Sequence, residues 1–162
     1  MTVRTYSDAR RHQQAMARWP LVLLLLPMTA AAVPYNKQAK CLADTLHYEA
    51  RGENLAGIRA VANVVLNRVK DKRWPNTICQ VVYQDKQFSW ANNHKVRDPR
   101  RVPYTADVKR VVSKAIAGRL RDNTRKSTHY HTIAVYPSWA ANLELTEVIG
   151  FHVFYKYPKR KL

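Results

Sequence analysis

Acidic side chains are scarce: 11 Asp and Glu stand against 28 Lys and Arg. A reaction that needs two carboxylates therefore has few residues to draw on. Beyond Glu49, the candidates for a second one are Glu53, Asp44, Asp85 and Asp98. Cysteine is limited to Cys41 and Cys79, so only one internal bridge can form. The apolar run Leu21–Leu26 is too short for a membrane-spanning helix, which needs about 20 residues. No H-E-x-x-H occurs, which removes that helical zinc motif. Residues 33–162 show no internal repeat, low-complexity tract or linker, and a chain of 162 residues accommodates one domain.

The first 32 residues have a different character. Arg4, Arg10, Arg11 and Arg18 precede the apolar run, and Pro27 and Ala30-Ala31-Ala32 follow it. A basic start, a short apolar stretch and a small-residue exit make an export signal, expected to be cut after Ala32. Left uncut, the same stretch would tether the domain to a membrane. Residues 33–162 then hold 24 basic and 10 acidic residues, a net charge of +14. Export with that charge implies an anionic polymer or surface, such as cell-wall glycan with its acidic peptides or the anionic cell envelope. Nucleic acid matches the charge but not the export, and a merely solvated basic surface is the plain alternative. In an exported chain Cys41 and Cys79 are expected to be oxidised to a disulfide.

Cys41 to Ala50 reads as a helix. Leu42, Leu46 and Glu49 fall at i, i+4 and i+7, on one stripe of a 3.6-residue period, and Gly52 can take the left-handed conformation that ends a helix. A carboxyl on an apolar stripe loses solvation, so its pKa rises, as a general acid at neutral pH requires. The competing reading is a last-turn Glu that turns to solvent or pairs with Arg51. Asn54 caps a second helix running to about Lys70, with Ile58, Val61, Ala62, Val65 and Val69 inside. Arg59, Asn63, Asn67 and Lys70 are placed outside, and Asn67 and Arg68 are given no role. Trp74-Pro75-Asn76 breaks this helix. Thr77 to Tyr83 could be helix or strand, and 92–103 is a basic loop. A third helix runs from Ala106 to Ala117 and stops at Gly118.

The last third turns to strand formers. Thr128-His129-Tyr130-His131 and Gly150-Phe151-His152-Val153-Phe154-Tyr155 alternate, and Val135 to Trp139 reads as a turn with exposed aromatics. Helices followed by two or three short strands suggest an α+β domain. His129, His131 and His152 invite a zinc site, and with it a zinc-dependent amidase, although their spacing is generic. The aromatics Phe88, Trp90, Tyr130, Tyr136, Trp139 and Tyr155 could stack on sugar rings or simply fill a core.

Read together, Cys41-Leu42-Ala43, Tyr48-Glu49-Ala50-Arg51-Gly52-Glu53, Gly57, Ala60-Val61-Ala62 and Val64 to Val69 resemble the signature of the spore cortex-lytic family of cell wall hydrolases. Trp74-Pro75, Val81-Val82-Tyr83-Gln84, Gln87-Phe88-Ser89, Thr128 to His131, Pro137, Trp139 and Ile149 to Tyr155 continue the resemblance in order. It implies a mainly helical, lysozyme-like fold with a small antiparallel sheet. It also implies peptidoglycan glycan strands as substrate, cut between N-acetylmuramic acid and N-acetylglucosamine, by hydrolysis or as a lytic transglycosylase. Glu49 becomes the essential acid, no metal or organic cofactor is needed, and the histidines are demoted to structural or sugar-contacting roles. Gln87, Phe88, Ser89 and Trp90 are then expected on one side of a glycan groove, with Tyr130, His131 and Trp139 across it. Glu53 is the candidate second carboxylate, and a monomer is expected. A non-catalytic basic wall-binding module is the remaining alternative.

Overall fold

A computed structural model describes residues 36–85, 87–88, 90–91 and 103–159. The export signal, Ser89, Asp98 and the basic stretch 92–102 lie outside the described residues.

Helix α1 spans Lys37–Glu49. It starts earlier than the apolar pattern indicated because Asn36 caps it, its Oδ1 accepting the Ala39 N–H at 2.9 Å. An Asn in extended conformation satisfies an amide that the helix itself cannot. The helix ends where expected, and Gly52 takes a φ of +88° two residues past the cap. Helix α2 spans Leu55–Lys70, with Asn54 accepting the Gly57 N–H at 3.0 Å. The undecided stretch after Pro75 is a short helix, α3 (Ile78–Val82), capped by Thr77. Its buried residues Ile78, Cys79, Val81 and Val82 follow the i, i+1, i+3, i+4 spacing of a helix face. Helix α4 spans Ala106–Ile116, capped by Thr105, with Val108, Val111, Val112 and Ala115 inside.

Three antiparallel strands follow: β1 (His129–Thr132), β2 (Glu144–Ile149) and β3 (His152–Lys156), in the order β1–β3–β2. Strand β2 leaves little trace in the sequence. Leu145 and Val148 are 56% and 59% exposed, and a bulge between Leu145 and Glu147 breaks the two-residue alternation. Residues 150–151 close the β2–β3 hairpin, with Gly150 at a φ of +59°. The result is the α+β class anticipated: helices plus a small antiparallel sheet.

Helix α2 lies at the centre. One side packs on α1, α3 and α4 through Ile58, Val61, Ala62 and Val65. The other meets the sheet, where Ala60 and Val64 join Phe154 in a second apolar cluster. A helix covered on two sides buries polar positions as well. Asn63 and Arg68, expected to face outward or to be idle, are 2% and 6% exposed. Asn63 offsets that burial by donating to the Arg121 carbonyl and to Asn123 Oδ1.

The disulfide Cys41–Cys79 joins α1 to α3 as expected, with its Cα atoms 5.3 Å apart. Asp44, one candidate carboxylate, is committed elsewhere: Lys40 pairs with it at 2.9 Å and the Tyr104 hydroxyl bonds it, fastening α1 to the segment before α4.

Candidate active site

Glu49 is the last residue of α1, and its carboxyl turns inward rather than toward Arg51. Tyr130, on β1, donates its hydroxyl to Glu49 Oε2 at 3.1 Å. Burial raises the Glu49 pKa above its ordinary 4.5. The Tyr130 hydroxyl, the Trp90 indole and the charges of His152 and Arg68 oppose the rise without cancelling it. The last turn of a helix works in the same direction as burial, because unpaired carbonyls there repel a negative charge. Tyr130 itself is held well above the ordinary tyrosine value, first by burial and then by the neighbouring Glu49 charge, so it remains a donor.

Trp90 forms the wall beside this carboxyl. It stacks on Tyr48 of α1, with centroids 4.8 Å apart and planes 25° apart. Its indole N–H is buried near Glu49 but makes no well-aligned hydrogen bond. Phe88, 4% exposed, packs behind Trp90 in the helical core and supports it. Gln87 accepts a bond from Arg68 Nη1 at 2.8 Å.

Arg68 is the site residue that the sequence reading passed over. Its Nε donates to the Thr128 carbonyl at 2.7 Å, and its guanidinium lies 4.3 Å over the Trp74 ring. Burial lowers its pKa to about 10. It locks the start of β1 onto α2 and carries positive charge toward Glu49. The signal was available: Ala60, Val64 and Arg68 form an i, i+4, i+8 stripe beside the one identified.

Strand register separates residues that the sequence reading had placed together. Adjacent strand residues face opposite ways. Tyr130 pairs with Phe154 and Thr132 with His152, so Tyr130, His152 and Phe154 share the face toward α2. His129, His131, Val153 and Tyr155 share the other face. His131 and Trp139 therefore stand across the sheet from Tyr130 and do not line a groove with it. His131 is locked there: Nδ1 donates to its neighbour's carbonyl, Thr132 O, at 2.8 Å, and Nε2 accepts the Tyr155 hydroxyl at 2.9 Å. Trp139 packs against His129, His131 and Tyr155, and the exposed aromatic of that turn is Tyr136, at 69%. His129 lies among Trp74, Trp139 and Tyr157 with its pKa lowered to about 4, first by burial and then by Arg68 and Arg73. The same register turns His152 away from His129 and His131, so the three imidazoles do not converge on a metal.

Glu53 does not extend α1 by a turn, because the chain leaves the helix at Ala50. Its side chain is 2% exposed. Oε1 accepts the Phe151 N–H at 2.9 Å, and His152 Nδ1 stands at the same distance from it, without good hydrogen-bond alignment. An enclosed carboxylate held this way has no open side on which to activate a water for attack on a sugar.

Fold and site together define an α+β domain in which the half-buried Glu49 carboxyl, its pKa raised by burial, is suited to acid–base chemistry. The sequence model of the Cell Wall Hydrolase family matches residues 52–155, and the chain belongs to that family. The matched region opens just after Glu49 and contains Glu53, Arg68, Tyr130 and His152. The chain is similar to the spore cortex-lytic enzyme of Bacillus cereus, 29% identical over 116 residues that make up 71% of this chain and 42% of the relative. It thus spans well under half the length of the curated relatives it matches. Among solved structures it resembles the catalytic domain of the germination-specific lytic transglycosylase SleB from Bacillus anthracis, at a TM-score of 0.64 and 27% identity, covering 76% of this chain and 98% of that one. The catalytic domain of the Bacillus cereus SleB protein matches at 0.63 and 27%, covering 78% and 97%.

Proposed function

We propose that this chain cleaves the glycan strands of peptidoglycan at the β-1,4 bond between N-acetylmuramic acid and N-acetylglucosamine, with Glu49 as general acid and then base. The observation that carries this is the half-buried Glu49 carboxyl at the end of α1, with its pKa raised by burial and Tyr130 bonded to Oε2. With Oε2 occupied by that donor, Oε1 is the atom that carries the proton to the glycosidic oxygen. The muramoyl ring then takes on oxocarbenium character as the bond breaks. Two fates follow. Water can attack, or the ring's own 6-hydroxyl can close on the anomeric carbon while Glu49 takes its proton. The second route needs no further carboxylate. The enclosure of Glu53 and the commitment of Asp44 to Lys40 and Tyr104 favour it. The family membership and the likeness to a lytic transglycosylase domain support the same reading.

Residues 1–32 are proposed to direct export to the cell envelope, leaving 33–162 as the working domain, and the basic surface to hold it on the anionic wall. N-terminal sequencing of the exported protein should then begin at Val33.

Digestion of purified sacculi followed by mass spectrometry tests the activity. Anhydromuropeptides are expected. Reducing-end disaccharides would indicate water as the nucleophile, free stem peptides an amidase, and no products a binding module. Glu49→Gln should abolish cleavage while leaving sedimentation with sacculi unchanged, and activity surviving that change would remove Glu49 from the assigned role.

A further inference from the structure

We propose that Glu53 and His152 form a buried positioning pair that sets Tyr130, and through it the Glu49 carboxyl; this rests on Glu49 being the proton donor. The contacts form a connected path. Glu53 Oε1 meets His152 Nδ1 at 2.9 Å, the two side chains being 2% and 7% exposed. The His152 ring stands edge-on to the Tyr130 ring, at 5.1 Å and 86°. Tyr130 in turn bonds Glu49 Oε2 at 3.1 Å.

The surroundings are shaped to admit the Glu53 carboxyl. A Cβ at Gly57 would lie 2.3 Å from Glu53 Oε2, and one at Gly150 would lie 1.8 Å from it. Two of the four glycines in the chain therefore make room for one carboxylate. One of them lies in the first turn of α2, where alanine would favour the helix more. Glu53 Oε2 is buried with no hydrogen-bond partner among the described residues, a further cost. A buried acid–imidazole contact made without good alignment is a poor stabiliser compared with apolar residues of the same volume. Glycines, an unpaired oxygen and a buried pair make little sense as stability devices, but they do hold an imidazole against the face of the residue that touches Glu49.

The test reads the Glu49 carboxyl directly, by carbon-13 NMR titration of the purified protein, and needs no turnover. The groups facing Glu49 are Tyr130, Trp90, His152 and Arg68. In Glu53→Gln the His152 ring loses the carboxyl that holds it against Tyr130, so the Tyr130 hydroxyl is held less firmly on Glu49 Oε2; that bond lowers the Glu49 pKa, and loosening it should raise the Glu49 midpoint, by about half a pH unit or more. His152→Gln should raise it likewise, and the double variant should add nothing to the larger single shift. A fall in Glu53→Gln would mean that Glu53 acts as a bare neighbouring anion; an unchanged midpoint would make it a bystander. Either result overturns the proposal. Where Glu53→Gln does not fold, His152→Gln carries the same prediction and leaves the Glu53–Phe151 bond in place.

Kinetics on soluble glycan fragments add a second readout: kcat reduced about tenfold or more with KM within about twofold, as expected for loss of a positioned proton donor. If the wild type releases no glycan products but the NMR shifts appear as stated, the pair stands and the functional reading fails.

Discussion

At the residue scale, Glu49 sits where its charge is unwelcome, and that has a measurable consequence. Its pKa is raised, so the folded state binds its proton more tightly than the unfolded chain does. Below the ordinary value of 4.5 the group is protonated in both states and the full benefit is present; it fades as pH climbs through the raised value. Glu49→Gln should therefore match the wild-type melting temperature near pH 4 and equal or exceed it at pH 7, while cleavage is lost. Thermal unfolding at the two pH values checks this. Arg68 works in the opposite sense, because its fork holds a strand start, a side chain and an aromatic face at once. Arg68→Ala should cost about 3 kcal/mol in denaturant unfolding, since it strands a buried carbonyl and a half-buried amide oxygen. Arg68→Lys should recover little of that loss, because an ammonium lacks the planar fork.

At the element scale, α1 is the part that must not drift, since its last turn carries the proposed acid. It is fastened at its start by the Asn36 cap, along its length by Asp44 to Tyr104, and to α3 by the disulfide. The bridge closes a loop of 38 residues, and on the chain-entropy account its removal should cost about 4 kcal/mol. A Cys41→Ala, Cys79→Ala double variant should melt lower by an amount consistent with that figure, and reduced wild type should match it. The sheet is fastened differently. Arg68 holds β1, the Glu53–Phe151 bond holds the hairpin, and Thr146 at the bulge bonds the Phe154 carbonyl. The Asn54 cap and the apolar stripes were legible in the sequence because each depends on residues three or four positions apart. Strand β2 was not, because its outward Leu145 and Val148 and its bulge erase the alternation that marks a strand.

For the whole molecule, charge dominates. The proposed working domain, residues 33–162, carries a net charge of +14, so the proposed adhesion to an anionic wall should depend on ionic strength. Sedimentation with sacculi should weaken steeply between low salt and about 0.5 M, where the screening length falls to a few ångströms. The same loss should occur in Glu49→Gln, since the proposed adhesion rests on the basic surface and the proposed proton transfer on Glu49.

With two cysteines leaving one possible disulfide, short-range physics in the chain was enough to determine the α+β class, the ends of α2 and α4 and a carboxyl on an apolar stripe. It also carried the resemblance to cell wall hydrolases, which the family match then established. Only the tertiary structure decided that Tyr130 faces Glu49 while its neighbour His131 faces away. The same holds for the bond from Arg68 to the Thr128 carbonyl and for the meeting of Glu53 with a hairpin 98 residues further along. Those outcomes depend on strand register and on which two surfaces cover α2, and both are set by pairing between segments far apart in the chain.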